Sequence, residues 1–250
     1  MIVHHETTGD PARPTVVLSN SLGTDLALWA PQVAALAERF HVVRYDSRGH
    51  GRSPVPAGPY TIEDLGGDVV ALLDHLGIER AHVVGISIGG LTGQHLAVAH
   101  RDRVDRLVVA DTAAKIGEPK TWRERAALVT RDGMSAVASG VVERWLTPEH
   151  AAAHPEKVRW LTEMLLATDP TGYAATCEVL ATTDLRESIA GITAPTLAIG
   201  ATGDVPTPPS ATRAIAEAVP GGQYREVDAA HISNVEAAED FTSALLDFLA

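Results

Sequence analysis

The chain has 250 residues, 45% of them apolar and 21% charged, with a formal net charge of −12. That length and balance suit one soluble α/β domain able to bury a substantial core. The acidic excess argues against nucleic acid or an anionic membrane as partner, because both favour a basic face.

The N-terminal "MIVHHETTGD" lacks the basic-then-apolar pattern of a signal peptide, and no run approaches the roughly 20 apolar residues of a membrane helix. A cytoplasmic setting is expected. "TVVLSN" (15–20) then reads as a buried strand, "PQVAALAERF" (31–40) as a helix and "HVVRYD" (41–46) as a second strand. The pattern repeats with a helix at 61–77, a strand at 81–87, a helix at 90–100 and a strand at 104–111. From about 118 to 187 it breaks into helical segments without a strand between them, "WRERAALVTRDG", "SAVASGVVERWL" and "EKVRWLTEMLLAT". It resumes with "PTLAIGA" (195–201), a helix near 210–219, a strand near 223–228 and a closing helix near 236–249. Such alternation predicts an α/β fold, a mostly parallel sheet with helices on both faces. Its core would comprise 1–117 and 188–250, and 118–187 would form a helical cap over the sheet's carboxyl edge.

At the third strand–helix junction lies "GISIG" (85–89), a G-x-S-x-G in the strand–turn–helix context of a nucleophile elbow. A serine in so sharp a turn takes up a strained backbone, and side chains two positions either side would collide, hence Gly85 and Gly89. The turn lifts the Ser87 hydroxyl clear of the sheet and aims the first amides of the helix at the space before it. A serine needs a base, and in this fold the chain order is serine, acid, histidine. Only His231 of the eleven histidines lies beyond residue 154, in a loop between the last strand and the last helix. For the acid, Asp204 in "IGATGDVPTPP" occupies the usual loop; Asp111 in "VVADTAAK" is the alternative, and otherwise caps a turn with Thr112 and Ala113. Backbone amides of Ile88, after the serine, and of Leu22 in "LSNSLGT" are the expected oxyanion donors.

Other signals are weaker. His150 and His154 are spaced as ligands on one helix face, but no glutamate follows the H-E-x-x-H pattern and Pro155 comes at once. Cys177 sits in a helical stretch without an elbow and is read as a packing residue. No phosphate-binding or dinucleotide fingerprint occurs, so no cofactor and no metal are expected. Trp122, Trp145 and Trp160 read as buried anchors of the cap unless one faces the pocket.

These pieces describe an α/β-hydrolase, a fold that hosts many chemistries. "LSNSLGTDLALW", "GPYTIEDL", "DTAAKIG", "RDGM", "ERWLT", "GYAATCEVL" and "AAHISNVE", in this order, closely resemble the 3-oxoadipate enol-lactone hydrolases of aromatic-acid catabolism. Ile88 stands where methionine is more usual in that family; a backbone donor tolerates that change. Some relatives carry a fused decarboxylase domain, which is not expected in a chain ending at Ala250. The resemblance implies a small-molecule partner, an enol lactone with a carboxymethyl arm, hydrolysed through an acyl-enzyme. It further implies that Lys115, Arg125 or Arg144 holds the carboxylate and that Trp145 forms part of the pocket wall. An esterase or carbon–carbon bond hydrolase on the same machinery is the nearest rival. A non-catalytic binding relative is the other, against which stands the presence of serine, acid and histidine together.

Overall fold

The β-branched runs form the centre of a seven-stranded sheet in the computed structural model, which describes residues 1–250. The strands are β1 (His5–Thr8), β2 (Thr15–Ser19), β3 (His41–Tyr45), β4 (Ala81–Ile86), β5 (Val104–Ala110), β6 (Thr196–Ala201) and β7 (Gln223–Val227). They lie in the order β1-β3-β2-β4-β5-β6-β7, with β1 antiparallel to β3 and every other pairing parallel. Strands β2 and β4 are buried along their whole length, which is why "TVVLS" and "AHVVGI" are apolar without alternation. Strand β1 is absent from the sequence reading. Its "HETT" is a half-exposed edge with no apolar face, so nothing in its composition announces a strand.

Helix α1 (Ala30–Ala37) carries the chain from β2 outward to β3, whereas α2 (Ile62–His75) and α3 (Ile88–Ala99) carry it back through β4 to β5. Right-handed crossovers running in opposite directions put their helices on opposite faces of the sheet. Both faces are therefore covered, and β2 and β4, side by side, mark the point where the direction of winding reverses. In open parallel sheets the crevice beyond the strand ends at such a point is the usual ligand site. The start of α2 is fixed by a capping box, in which the Thr61 hydroxyl accepts from the Asp64 amide and the Asp64 carboxylate accepts from the Thr61 amide.

Between β5 and β6 five helices follow one another: α4 (Pro119–Asp132), α5 (Ser135–Val142), α6 (Pro148–Ala153), α7 (Pro155–Ala167) and α8 (Pro170–Thr182). Four of them open on proline, which fits the first turn of a helix because its missing N–H would have no partner there. The six-residue α6 escapes the sequence reading because it is too short to show a period. Helix α9 (Pro209–Ala218) joins β6 to β7, the four-residue α10 (Ser233–Glu236) follows, and α11 (Ala238–Leu249) closes the chain against α1. No helix is long and apolar enough to cross a membrane.

Candidate active site

Strand β4 ends at Ile86 and α3 begins at Ile88, leaving Ser87 alone in the bend at φ 56°, ψ −120°. A non-glycine residue in such a conformation costs of order 1–3 kcal/mol and persists only where its surroundings enforce it. Here the end of β5 does so. The Ser87 amide donates to the Ala110 carbonyl at 2.9 Å, and the Thr112 hydroxyl donates to the Ser87 carbonyl at 2.6 Å. The flanking glycines answer two different needs. A Cβ on Gly85 would stand 2.1 Å from the Gly89 carbonyl oxygen, whereas one on Gly89 would stand 2.2 Å from that of Ser19, at the end of β2.

His231 lies in the loop between β7 and α10, with its Nε2 at 3.0 Å from Ser87 Oγ. Its Nδ1 is 3.1 and 3.0 Å from the two carboxylate oxygens of Asp204, which follows β6. An acceptor at Nδ1 keeps the proton there and turns the Nε2 lone pair toward the serine hydroxyl, the arrangement that lets imidazole remove a hydroxyl proton. All three side chains are buried. Asp204 is itself held by Thr207, whose amide donates at 2.9 Å and whose hydroxyl donates at 2.8 Å. That hydroxyl also stands 3.3 Å from His231 Nδ1. Sequence reasoning missed Thr207; its position between two prolines, "PTP", was the available signal.

Asp111, the alternative acid, requires a correction. It does not cap its own turn. At φ 45° its side chain is directed across the molecule, and Oδ2 accepts from the amide of Ser233, because β5 ends beneath the loop that carries His231. Complete burial, and then the negative charge of Asp204, push its carboxyl well above the usual carboxylate range.

As the first residue of α3, Ile88 has an amide without an intrahelical carbonyl to bond. Leu22 follows β2, the strand beside β4, and lines the same cavity as Ser87 and His231. The cavity measures about 130 Å³, so it suits a small compact ligand. From the helical segment, Trp122, Arg125, Arg144, Trp145 and Tyr173 line it. Arg125 lies over the Trp122 ring, 4.7 Å from its centroid, and neither Arg125 nor Arg144 has a carboxylate within salt-bridge distance. Desolvation of the Arg144 guanidinium and the neighbouring charge of Arg125 hold its pKa below the ordinary value, as expected for adjacent cations with no anion between them. Tyr173 is fully buried, with Arg125 beside its hydroxyl and no acceptor for that hydroxyl's proton; burial pushes its pKa up to about 12, so it remains a donor. The sequence reading did not single out Tyr173, although "GYAATCEVL" contains it.

The remaining expectations are met unevenly. Trp145 is buried and lines the cavity, but Trp122 and Trp160 are half-buried. Lys115 stands apart from the cavity lining, with its ammonium 3.8 Å from the Glu118 carboxylate. The His150 and His154 rings stack with centroids 4.3 Å apart, and the Lys157 ammonium occupies the position before His150 Nε2, at 3.1 Å, where a metal would need a lone pair. No group of three or more histidine, cysteine, aspartate or glutamate side chains is arranged to hold a metal ion. The Cys177 thiol is buried and pushed up to about 12 by that burial, which keeps it unreactive.

Sheet, strained serine and hydrogen-bonded histidine define an α/β-hydrolase, and the family model of the alpha/beta hydrolase fold matches residues 14–149. Over 97% of its length the chain is 42% identical to 3-oxoadipate enol-lactonase 2 of Acinetobacter baylyi, covering 91% of that protein. It is 37% identical to 3-oxoadipate enol-lactonase 1 of the same organism, over 96% of this chain and 90% of that one. The crystal structure of the enol-lactonase from Burkholderia xenovorans LB400 superposes with a TM-score of 0.98 at 46% identity, over 99% of this chain and 96% of that one. The chain belongs to the 3-oxoadipate enol-lactonases, a family of α/β-hydrolases.

Proposed function

We propose that the protein hydrolyses 3-oxoadipate enol-lactone to 3-oxoadipate, with Ser87 as nucleophile, His231 as base and Asp204 as the acid that orients it. One observation carries the reading. The Asp204–His231–Ser87 hydrogen-bond chain opens on a small cavity whose lining also holds two guanidiniums and a tyrosine hydroxyl without an acceptor. Unpaired donors of that kind suit a carboxylate, and the guanidinium fork matches carboxylate geometry. Residues 118–187 act in this reading as a cap that shapes the substrate site.

Ser87 Oγ attacks the lactone carbonyl while His231 Nε2 takes its proton, and the negative oxygen falls to the amides of Leu22 and Ile88. Each such donor contributes roughly 3 kcal/mol in the transition state. Ring opening breaks the bond to the enol oxygen, which stays tethered to the acyl group and receives the proton from His231. The enol then becomes a ketone, which removes the nucleophile that could close the ring again. Water deprotonated by His231 attacks the acyl-enzyme, and His231 returns that proton to Ser87 Oγ as the bond to the acyl carbon breaks and the acid is released. Arg125 and Arg144, with Tyr173 beside them, hold the carboxymethyl arm through these steps. The test is incubation with the enol lactone while its ultraviolet absorbance is followed; persistence of the absorbance with folded protein would refute the reading.

A further inference from the structure

Glu236 ends α10, five residues after His231, and its carboxylate has no basic side chain within salt-bridge distance. Its partners are donors from two distant segments. Oε2 accepts from the amide of Ala230 at 2.9 Å and from the amide of Thr147 at 3.1 Å, and Oε1 accepts from the Thr147 hydroxyl. Ala230 immediately precedes His231. On the other side of the histidine, the Ile232 amide donates to the carbonyl of Trp145 at 2.9 Å. Both neighbours of His231 are thus tied to residues 145–147, which include the tryptophan that lines the cavity. A third tie runs from the Lys157 ammonium, on α7, to the Val235 carbonyl at 3.1 Å.

We infer that Glu236 is a positioning residue, a clamp that locks the His231 loop to the cavity wall at Trp145 so that imidazole and wall are set in register together. The inference rests on the assignment of His231 as base. The loop between β7 and α10 has no ladder of its own, so the imidazole depends on its bond to Asp204 and on its flanking ties for its place. A carboxylate suits the task better than an amide would. All its donors are N–H or O–H groups, and the NH₂ of a glutamine would be set against one of them. A displacement of the base by about 1 Å is enough to cost about 10²-fold in rate, so a clamp at this distance acts on turnover without touching substrate.

The experiment compares Glu236→Ala, Glu236→Gln, Thr147→Val and Thr147→Ser in the full chain. It measures kcat and KM on the enol lactone and on p-nitrophenyl acetate, the rate of fluorophosphonate labelling at Ser87, and thermal unfolding. The expected result for Glu236→Ala is a 10- to 100-fold fall in kcat on both substrates, a matching fall in labelling rate, and protein that stays folded at the assay temperature. Glu236→Gln should fall between this variant and the parent. Thr147→Val should lose less, Thr147→Ser should regain the parent rate because its hydroxyl can both reach Glu236 and cap α6, and the Glu236→Ala/Thr147→Val double variant should be no slower than Glu236→Ala alone. Parent-like kcat and labelling per folded molecule, with only a lowered Tm, would overturn the clamp and leave a structural residue. Fully additive losses in the double variant would overturn it as well. Should Glu236→Ala not fold, Glu236→Gln and the Thr147 pair decide on the same readouts. A parent that ignores the lactone yet cleaves the acetate ester would refute the substrate assignment, and the Glu236 comparison would still be decided on the ester.

Discussion

Asp111 Oδ2 accepts the Ser233 amide at 3.1 Å, so this carboxyl grips the loop of the histidine, whereas Asp204 bonds the imidazole itself at 3.0 Å. The two acids are thereby given different tasks. Asp204→Asn should lower kcat by about 10⁴-fold, the loss met when an orienting carboxylate becomes an amide and the tautomer is wrong. Asp111→Asn keeps an oxygen for the Ser233 amide and should stay within a few-fold of the parent. Steady-state kinetics of both variants decide the matter, and a collapse of Asp111→Asn with an active Asp204→Asn would reverse the roles.

The same burial gives Asp111 a pH signature. Burial first, and then the charge of Asp204, raise its folded pKa above the unfolded value of about 3.9. The native state therefore keeps a proton that the unfolded chain releases. The stability this group contributes is fully present below about pH 3.9 and is lost as pH climbs toward the folded pKa, at up to about 1.4 kcal/mol per pH unit. Asp111→Asn has no proton to lose. Its stability relative to the parent should therefore improve between pH 4 and pH 7, as read from denaturant midpoints at both values; a pH-independent difference would show that Asp111 is ionised in the native state.

Much of this architecture is legible in the sequence because central parallel strands must be apolar on both faces, as "TVVLS" and "AHVVGI" are. Ser87 is legible for a similar reason, since a strained bend between strand and helix demands glycines that few other structures require. His231 follows from being the one histidine late in the chain. What stays hidden depends on contacts between distant segments. Asp111 meets Ser233 across 122 residues, and the sequence offers only the nearer reading of a local turn. Lys115 looks as suitable as Arg125 until the folded chain leaves it outside the cavity lining that holds Arg125. Thr207 shows only its place between two prolines and Tyr173 carries no pattern of its own; their meaning comes from the carboxylate of one and the guanidiniums near the other.

Ser87 and His231 should behave as a unit. Ser87→Ala and His231→Ala should each lower kcat by about 10⁶-fold, and the double variant should be little slower than either alone, because each depends on the other. Additive losses would separate the two residues chemically. Gly89→Ala is the structural counterpart: its Cβ would meet the Ser19 oxygen at 2.2 Å, so it should impair folding and turnover together, where Ser87→Ala impairs turnover alone. Thermal unfolding beside kinetics distinguishes the two outcomes.

The cavity's cations give the last prediction. Arg125 and Arg144 line the cavity without a carboxylate partner, whereas Lys115 is engaged by Glu118 outside it. Removing a guanidinium that holds the substrate's carboxylate should cost kcat/KM on the lactone about 10- to 100-fold, the 1.5–3 kcal/mol range of a hydrogen bond to a charged group. It should cost little on a neutral ester of similar size, which brings no carboxylate to be held. Arg125→Ala and Arg144→Ala should therefore narrow the preference for the lactone, Lys115→Ala should leave it alone, and Tyr173→Phe should weaken it less than either arginine change. Measured on both substrates, a uniform loss would place the arginines in cap folding, and an unchanged preference in all four variants would remove the carboxylate site from this wall of the cavity.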